Sequence, residues 1–268
     1  MREPLCRASA VSKTFGTGEQ TSEVLHAIDL EIWPGELTLL MGPSGSGKTT
    51  LVSILAGLLW PTGGQVELCG RVLPCFDEVS AAALRRSHVG FIFQTYNLFP
   101  GMSALANVAL GYRLRGASRA TALRSAQAAL GSVGLAARTQ QLPGELSAGQ
   151  KQRVAIARAL AGDPRLVIGD EPTAALDTTS AMSVISLLRE RVTDDSGVLV
   201  VTHDTRLQQF AHRTVHMEDG RIVHDERHAA VEQPRLRPNA RLSSEHSRSR
   251  ISAEQPGPRS SSSRGGLR

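Results

Sequence analysis

The chain has 268 residues, 41% of them hydrophobic and 21% charged, which is the composition of a globular protein of one or two domains. It has no run of about 18 apolar residues, so the sequence excludes a membrane-spanning helix, and its start lacks the apolar segment of a signal peptide. The cysteines, Cys6, Cys69 and Cys75, lack the spacing of a metal site and predict free thiols in a reducing cytosol. A disulfide between Cys69 and Cys75 is the alternative.

The net charge of +5 comes from the C-terminal tail. Residues 229–268 contain eight arginines and three glutamates, an excess of five positive charges that equals the charge of the whole chain. This tail is rich in Ser, Arg and Pro and poor in apolar residues, so we expect it to be disordered. We interpret it as a solubilising extension; weak contact with anionic lipid headgroups is the alternative, ahead of nucleic acid. We expect no nucleic-acid partner for the neutral remainder.

The first 41 residues predict strands and a turn. Apolar and polar residues alternate around Val24–Ile32, as in strands with one exposed face, and Pro34-Gly35 supplies a turn. Glu36–Met41 is a short, mostly apolar run with the length of a strand.

A phosphate-binding pattern follows this strand directly. Residues 42–49 read Gly-Pro-Ser-Gly-Ser-Gly-Lys-Thr, which fits Gly, any four residues, Gly, Lys, and Ser or Thr. After the pattern, Leu51, Ile54, Leu55 and Leu58 recur with the spacing of one helix face. Strand, loop and helix therefore occur in the order that the motif requires.

The residues of this loop predict binding of a polyphosphate. Glycines let the backbone curl so that consecutive N–H groups face the phosphates, and the helix N-terminus adds its positive dipole end. Lys48 can reach the β and γ phosphates, and the hydroxyl of Thr49 can ligate Mg²⁺. A Gly/Ser-rich turn is the alternative. The predicted contacts to the nucleotide are Gly42, Pro43, Ser44, Gly45, Ser46, Gly47, Lys48, Thr49 and Thr50.

The middle of the chain predicts a helical subdomain inserted into an α/β unit. A strand-like run, Val89–Phe93, ends at Gln94. From about residue 103 to 135 the sequence is rich in Ala, Leu, Arg and Gln, with apolar residues at helical spacing. We place the helical subdomain at about residues 95–160.

Strands return in the last part of a predicted domain that covers residues 5–228. Leu166–Ile168 and Val198–Val201 are short apolar runs, and a helix is predicted near residues 179–192 between them. Short apolar strands that alternate with helices predict a mostly parallel, buried sheet.

Two adjacent carboxylates, Asp170 and Glu171, follow the strand at Leu166–Ile168. Ligands in open α/β sheets bind at the C-terminal ends of the strands. We therefore expect Asp170 to hold Mg²⁺, directly or through water, and Glu171 to orient and deprotonate an attacking water. Taken alone, Asp-Glu-Pro-Thr could instead begin a helix.

Two further polar residues end strands at the same predicted edge. His203 follows the strand at Val198–Val201 and would stand within reach of a γ-phosphate. Gln94 could ligate the metal or position a water. Each residue is a weak signal alone. A single His at a strand end, for instance, is usually a packing or surface residue.

A second anion site is predicted at another helix N-terminus. Leu-Ser-Ala-Gly-Gln at residues 146–150 places Ser147 and Gly149 at the start of a helix that runs through Lys151–Leu160. One nucleotide does not need two such sites from one subunit. We therefore expect a head-to-tail pair of subunits to combine them, an ordinary capped helix being the alternative.

Together these segments resemble the ATP-binding subunit of ABC transporters over about residues 5–224. The order and spacing of the segments are far more specific than any single motif. The resemblance rests on the Walker A loop (42–49), Gln94, the signature (146–150), Asp170-Glu171, the D-loop Ala174-Ala175-Leu176-Asp177, and His203.

The fold class that the resemblance implies is α/β: a P-loop NTPase core of the ABC type, with a mixed, mostly parallel sheet, an antiparallel β subdomain and an inserted α-helical subdomain. The resemblance also implies an ATPase that works as a dimer, with Mg²⁺ and two ATP molecules held between Walker A of one subunit and the signature of the other.

The resemblance also assigns roles to residues. Glu171 would be the general base, His203 a contact to the γ-phosphate, and Asp177 a coupling residue across the dimer. In the signature, Ser147, Gly149 and Gln150 would contact the nucleotide of the partner subunit.

Two residues depart from the pattern of the family. Ala148 stands where Gly is usual, a small and tolerable substitution. The aromatic residue that stacks on adenine, commonly Tyr, would be Phe15, whose phenyl ring stacks as well as a phenol. A core position for Phe15 is the alternative.

Within the family, residues 15–19 and 215–222 resemble the branch of lipoprotein-release, macrolide-efflux and heterocyst-glycolipid exporters. This implies ATP hydrolysis that powers export or extraction of an amphipathic substrate through a separate membrane permease, at the cytoplasmic face of the inner membrane. The segment Thr95–Pro100 would help form a groove for the permease, or else pack in the core. The alternatives are a regulatory ATPase of the cell-division type that signals without transport, an importer ATPase, and a cassette acting on ribosomes or DNA.

Overall fold

A computed structural model of the chain describes residues 3–18, 20–73 and 77–228. The predictions for Cys75 and for the basic tail, residues 229–268, lie outside these residues. Within the described ranges, no helix combines the length and the apolar character that crossing a membrane requires.

The described residues form both α-helices and β-strands. The helices are α1 (Lys48–Leu55), α2 (Glu78–His88), α3 (Ala104–Leu114), α4 (Arg119–Ser132), α5 (Ala148–Ala159) and α6 (Thr178–Arg189). The strands are β1 (Cys6–Phe15), β2 (Ser22–Ile32), β3 (Leu37–Met41), β4 (Gly63–Leu68), β5 (Arg71–Val72), β6 (Val89–Ile92), β7 (Leu166–Asp170), β8 (Gly197–Val201), β9 (Arg213–Glu218) and β10 (Arg221–Arg227).

The central sheet has six strands in the order β10-β9-β3-β8-β7-β6. All neighbours pair in parallel except β10, which runs antiparallel to β9. Strands β3, β7 and β8 are buried along their whole length, which explains their nearly continuous apolar sequences. The mixed, mostly parallel sheet that the sequence predicts is confirmed.

The two faces of this sheet belong to different hydrophobic clusters. Leu40 packs with α1 and with the second sheet, whereas Leu39 and Met41 pack with α5 and α6. Successive side chains of a strand point to opposite faces, so one short strand contributes to both clusters.

The second sheet is antiparallel, with the order β2-β1-β4-β5, and confirms the predicted antiparallel subdomain. The pattern of the sequence does not predict β4, β5 or α2. Gly63-Gly64 opens β4, and only two of its six residues are buried, so it lacks the apolar run that marks a buried strand.

Helices α3, α4 and α5 pack around a third cluster and confirm the predicted helical subdomain. One prediction for α1 is wrong. Leu58 does not continue its apolar face, because the helix ends at Leu55 and Gly57 takes a left-handed conformation with φ of 67°. The side chain of Leu58 is 45% exposed.

Candidate functional site

The loop between β3 and α1 has the backbone that a phosphate cradle requires. Gly42 has a φ of 148°, and a Cβ atom there would lie 2.0 Å from the carbonyl oxygen of Met217. Gly47 precedes α1 in a left-handed conformation with φ of 97°, and no side chain caps the helix. The N–H groups of the first turn are therefore available to an anion.

Lys48 lies inside this loop, with 6% of the residue exposed. Its Nζ donates hydrogen bonds to the carbonyl oxygens of Gly42 (2.9 Å) and Pro43 (2.6 Å) and to Oγ of Ser46 (3.3 Å). Burial lowers the pKa of the Lys48 ammonium, and the carboxylates of Glu171 and Asp170 act in the opposite direction. The loop thus encloses one cation at its centre.

Two side chains with oxygen atoms that could ligate a metal meet beside the loop. The hydroxyl of Thr49 donates to Oδ1 of Asp170 over 3.1 Å, joining the start of α1 to the end of β7. Burial raises the pKa of the Asp170 carboxyl, and the hydrogen bond from Thr49 lowers it. A hydroxyl next to a carboxylate is a donor set that suits Mg²⁺, which prefers oxygen ligands.

Glu171 lies between the ends of two other strands. Gln94, after β6, donates from Nε2 to Oε2 of Glu171 over 3.4 Å, and Nδ1 of His203, after β8, lies 3.6 Å from Oε1. The backbone of Glu171 is left-handed with φ of 46°, and its N–H donates to the carbonyl of Val201. Such strain in a non-glycine residue is typical of functional sites.

The order of the sheet explains why these residues meet. Strands β3, β8, β7 and β6 are neighbours and parallel, so their C-terminal ends share one edge. A cavity of about 370 Å³ adjoins this edge and is lined by Glu171, Thr202, His203 and Arg206, among others. The structure therefore brings together Lys48, Thr49, Gln94, Asp170, Glu171 and His203.

The signature turn lies at the start of α5. Ser147 caps α5 with Oγ, which accepts from the N–H of Gln150, while Oε1 of Gln150 accepts from the N–H of Ser147. Ala148 begins the helix, so the position that is usually Gly does not need a left-handed backbone here. Within the described ranges, no hydrogen bond or ion pair joins this turn to the phosphate loop.

Asp177 caps the neighbouring helix α6. Its Oδ1 accepts from the N–H of Ser180 (3.0 Å) and its Oδ2 from the hydroxyl of Ser180 (2.7 Å). These hydrogen bonds lower the pKa of the Asp177 carboxyl. Ser180 is also near Gly149, since a Cβ atom on that glycine would lie 3.9 Å from Oγ of Ser180. The cap of α6 and the signature turn are thus neighbours.

Phe15 is on the surface at the end of β1 and is 42% exposed. Nζ of Lys13 lies 5.0 Å from the centroid of its ring. A core position for Phe15 is therefore excluded, and the ammonium of Lys13 lies over its ring.

The segment after Gln94 borders a mainly apolar groove of about 360 Å³. Phe99 is 50% exposed there, and the prediction that this segment helps form a groove fits its position better than packing in the core. The groove lies between the sheet and the helical subdomain. Its lining includes Phe91, Phe93, Leu110, Leu114, Arg86 and Arg115.

Two residues that organise this segment were missed from the sequence. Asn107 is fully buried on α3 and donates to the carbonyl oxygens of Phe99 (3.1 Å) and Met102 (2.9 Å). Arg158 on α5 donates to the carbonyl oxygens of Tyr96 and Asn97, which follow Gln94 in the chain. The available signal was a polar residue among the apolar and alanine residues of each helix, and helical periodicity alone does not reveal its partner.

Comparison with known proteins gives concordant results. Residues 25–174 match the ABC transporter family. The macrolide export ATP-binding/permease protein MacB of Hahella chejuensis is 43% identical over 232 residues, which cover 87% of this chain and 36% of that protein. The probable syringafactin export ATP-binding/permease protein SyfD of Pseudomonas syringae pv. tomato is 41% identical, covering 87% and 35%. The chain thus spans about a third of the length of the curated relatives it matches.

A solved structure matches over its whole length. It is the dimeric, post-hydrolysis state of the ATP-binding cassette MJ0796 bound to ADP and Pi, with a TM-score of 0.79 and 35% identity, and the match covers 84% of this chain and 100% of that chain. The family match, the relatives and the shared fold agree with one another. The chain belongs to the ABC transporter family.

Proposed function

We propose that the chain, with residues 5–228 as its cassette, hydrolyses ATP to power export of an amphipathic substrate through a membrane permease. The observation that carries this proposal is the convergence of a phosphate loop, an oxygen donor pair and a flanked carboxylate at one sheet edge. The named relatives support the direction of transport, since they are export ATP-binding/permease proteins.

The phosphates of ATP bind at the loop of residues 42–50. The N–H groups of the first turn of α1 face them, and Lys48 turns its ammonium from the loop carbonyls to the β and γ phosphates. Thr49 and Asp170 would hold Mg²⁺, with Gln94 as a further ligand. The ion would supply positive charge against the negative charge that develops on the phosphates.

Glu171 acts as the general base of hydrolysis. Its carboxylate accepts the proton of the attacking water, and Gln94 and His203 keep that carboxylate oriented from either side. His203 also contacts the γ-phosphate. The exposed ring of Phe15 stacks on adenine.

A second copy of the chain completes each site. Ser147, Gly149 and Gln150 of one subunit bind the nucleotide held by the phosphate loop of the other, with Asp177 coupling the two sites. The signature turn and the phosphate loop share no hydrogen bond or ion pair among the residues that the structure describes, which supports this arrangement, as does the dimeric state of the MJ0796 cassette.

The apolar groove beside Phe99 receives the permease at the cytoplasmic face of the inner membrane. Its aromatic lining and its position next to Gln94 support this assignment. A protein docked there lies against the segment that follows Gln94, and the amide of Gln94 contacts Glu171.

Replacing Phe99 with aspartate is expected to prevent assembly with the permease while ATP binding is retained. A charge in an apolar interface costs at least about 1.4 kcal/mol, so recovery should fall at least about tenfold. The measurement is the amount of a membrane protein with an extracytoplasmic domain that co-purifies with the tagged chain from detergent-solubilised membranes.

Val223→Asp is the matched control, because Val223 is 54% exposed and lies on β10, outside the groove. The control should recover the permease like the wild-type chain. Equal recovery by both variants would contradict the groove assignment, and recovery of no membrane protein by the wild-type chain would contradict the partner.

A further inference from the structure

The segment that follows Gln94 has a backbone that needs external support. Tyr96 and Asn97 are both left-handed, with φ of 63° and 51°. Non-glycine residues rarely adopt this conformation, and two in succession persist only where surrounding groups fix them. The local backbone bonds are those from the N–H of Tyr96 to Phe93 and from the N–H of Asn97 to Thr95.

Arg158 supplies this support from α5. Its Nη1 donates to the carbonyl oxygen of Asn97 over 2.5 Å, and its Nη2 donates to that of Tyr96 over 2.8 Å. The side chain is half-buried beneath the segment, and no carboxylate among the described residues forms an ion pair with it. Burial lowers the pKa of the guanidinium. The two carbonyl groups are therefore its hydrogen-bond partners.

The same end of α5 also contacts the strand that leads to Gln94. A Cβ atom on Gly90 in β6 would lie 2.2 Å from the carbonyl oxygen of Ala159, so helix and strand are in close backbone contact. The other end of this 12-residue helix begins after Ser147. One rigid element thus connects the signature turn to both sides of Gln94.

We propose that Arg158 is a positioning residue for Gln94. Its fork of donors ties the segment after Gln94 to α5, so the place of the Gln94 amide beside Glu171 depends on the helix that carries the signature. Asn107 fixes the next part of the segment to α3 in the same way. The catalytic consequence rests on the ATPase function proposed above.

Arg158→Met tests this role, because methionine keeps an apolar stem and removes the donors. We expect kcat for ATP hydrolysis to fall about tenfold, as for a misplaced catalytic group, with KM for ATP changed less than about twofold. Arg158→Lys, which retains a donor, should recover part of the rate. Arg153→Met is the matched control: Arg153 lies on the same helix and bonds Val133 and Ser183 instead.

A double-mutant cycle separates positioning from general stability. In a Gln94→Ala background, adding Arg158→Met should change kcat by less than about twofold, because the residue acts through Gln94. Losses that multiply in the double variant would overturn the proposal. If Arg158→Met does not fold, the cycle uses Arg158→Lys with the same criterion.

Hydrogen exchange gives a readout that does not need catalysis. Without nucleotide, the amides of Tyr96 and Asn97 should exchange faster in Arg158→Met than in the wild-type chain. In Arg153→Met, their exchange rates should equal those of the wild-type chain. Unchanged exchange in Arg158→Met overturns the inference even if the chain is an active ATPase. A wild-type chain that hydrolyses no ATP but shows the faster exchange in Arg158→Met would instead refute the proposed function and keep the support of the segment by Arg158.

Discussion

Replacing Glu171 with glutamine should lower the rate of ATP hydrolysis at least about a hundredfold while ATP still binds. The amide has the shape of the carboxylate and can keep the contact with Gln94, but it cannot accept a proton from water. The phosphate loop and the Thr49–Asp170 pair are unchanged. Bound ATP should therefore accumulate instead of being turned over.

The measurement is phosphate release at saturating Mg²⁺-ATP, together with the amount of ATP bound per chain. Glu226→Gln is a suitable control, since Glu226 is an exposed glutamate on the outer strand β10, away from Glu171 and the carboxyl ends of β6, β7 and β8. It should retain the wild-type rate. Normal turnover by Glu171→Gln would remove Glu171 as the base.

Replacing Lys48 with alanine should raise the dissociation constant for ATP roughly 10- to 100-fold. Hydrogen bonds to charged groups contribute about 1.5–3 kcal/mol, which corresponds to this range. The reason is specific to this loop: Lys48 is the cation that the loop encloses and, in the function we propose, the residue that contacts the phosphates. Isothermal calorimetry on the monomer measures the change.

A second effect of Lys48→Ala concerns the loop itself. The carbonyl groups of Gly42 and Pro43 lose their donor, so a lower melting temperature without nucleotide is expected as well. Lys151→Ala changes another lysine, on α5, and should leave affinity of the monomer intact. Unchanged affinity in Lys48→Ala would contradict the assignment of the loop.

Much of the fold follows from local patterns in the sequence. Buried parallel strands have apolar runs, and so β3, β7 and β8 were predictable from Glu36–Met41, Leu166–Ile168 and Val198–Val201. The strand β4 and the helix α2 were not, because each has only two buried residues and therefore lacks such a run. The end of α1 was misplaced because Leu58 keeps the helical spacing after Gly57 has ended the helix.

The residues of the site were predictable one by one, but most of their contacts were not. A strand followed by a polar residue indicates a position at the sheet edge, which suffices for Asp170 and His203. The order of the strands then decides that Gln94 and His203 flank Glu171 on opposite sides. Long-range contacts such as that between Arg158 and Asn97 leave no periodic trace in the sequence.

The most direct test of the shared site is the mass of the Glu171→Gln chain in ATP, measured by light scattering after size exclusion. We expect it to rise from that of a monomer of 28.6 kDa to that of a dimer. Adding Ser147→Arg places a cation in the signature turn and should leave a monomer that still binds ATP. Adding Ser132→Arg instead, at an exposed serine on α4, should leave the mass of the dimer unchanged. An ATP-dependent dimer of the Glu171→Gln, Ser147→Arg chain, as stable as the parent, would contradict a site built from two subunits.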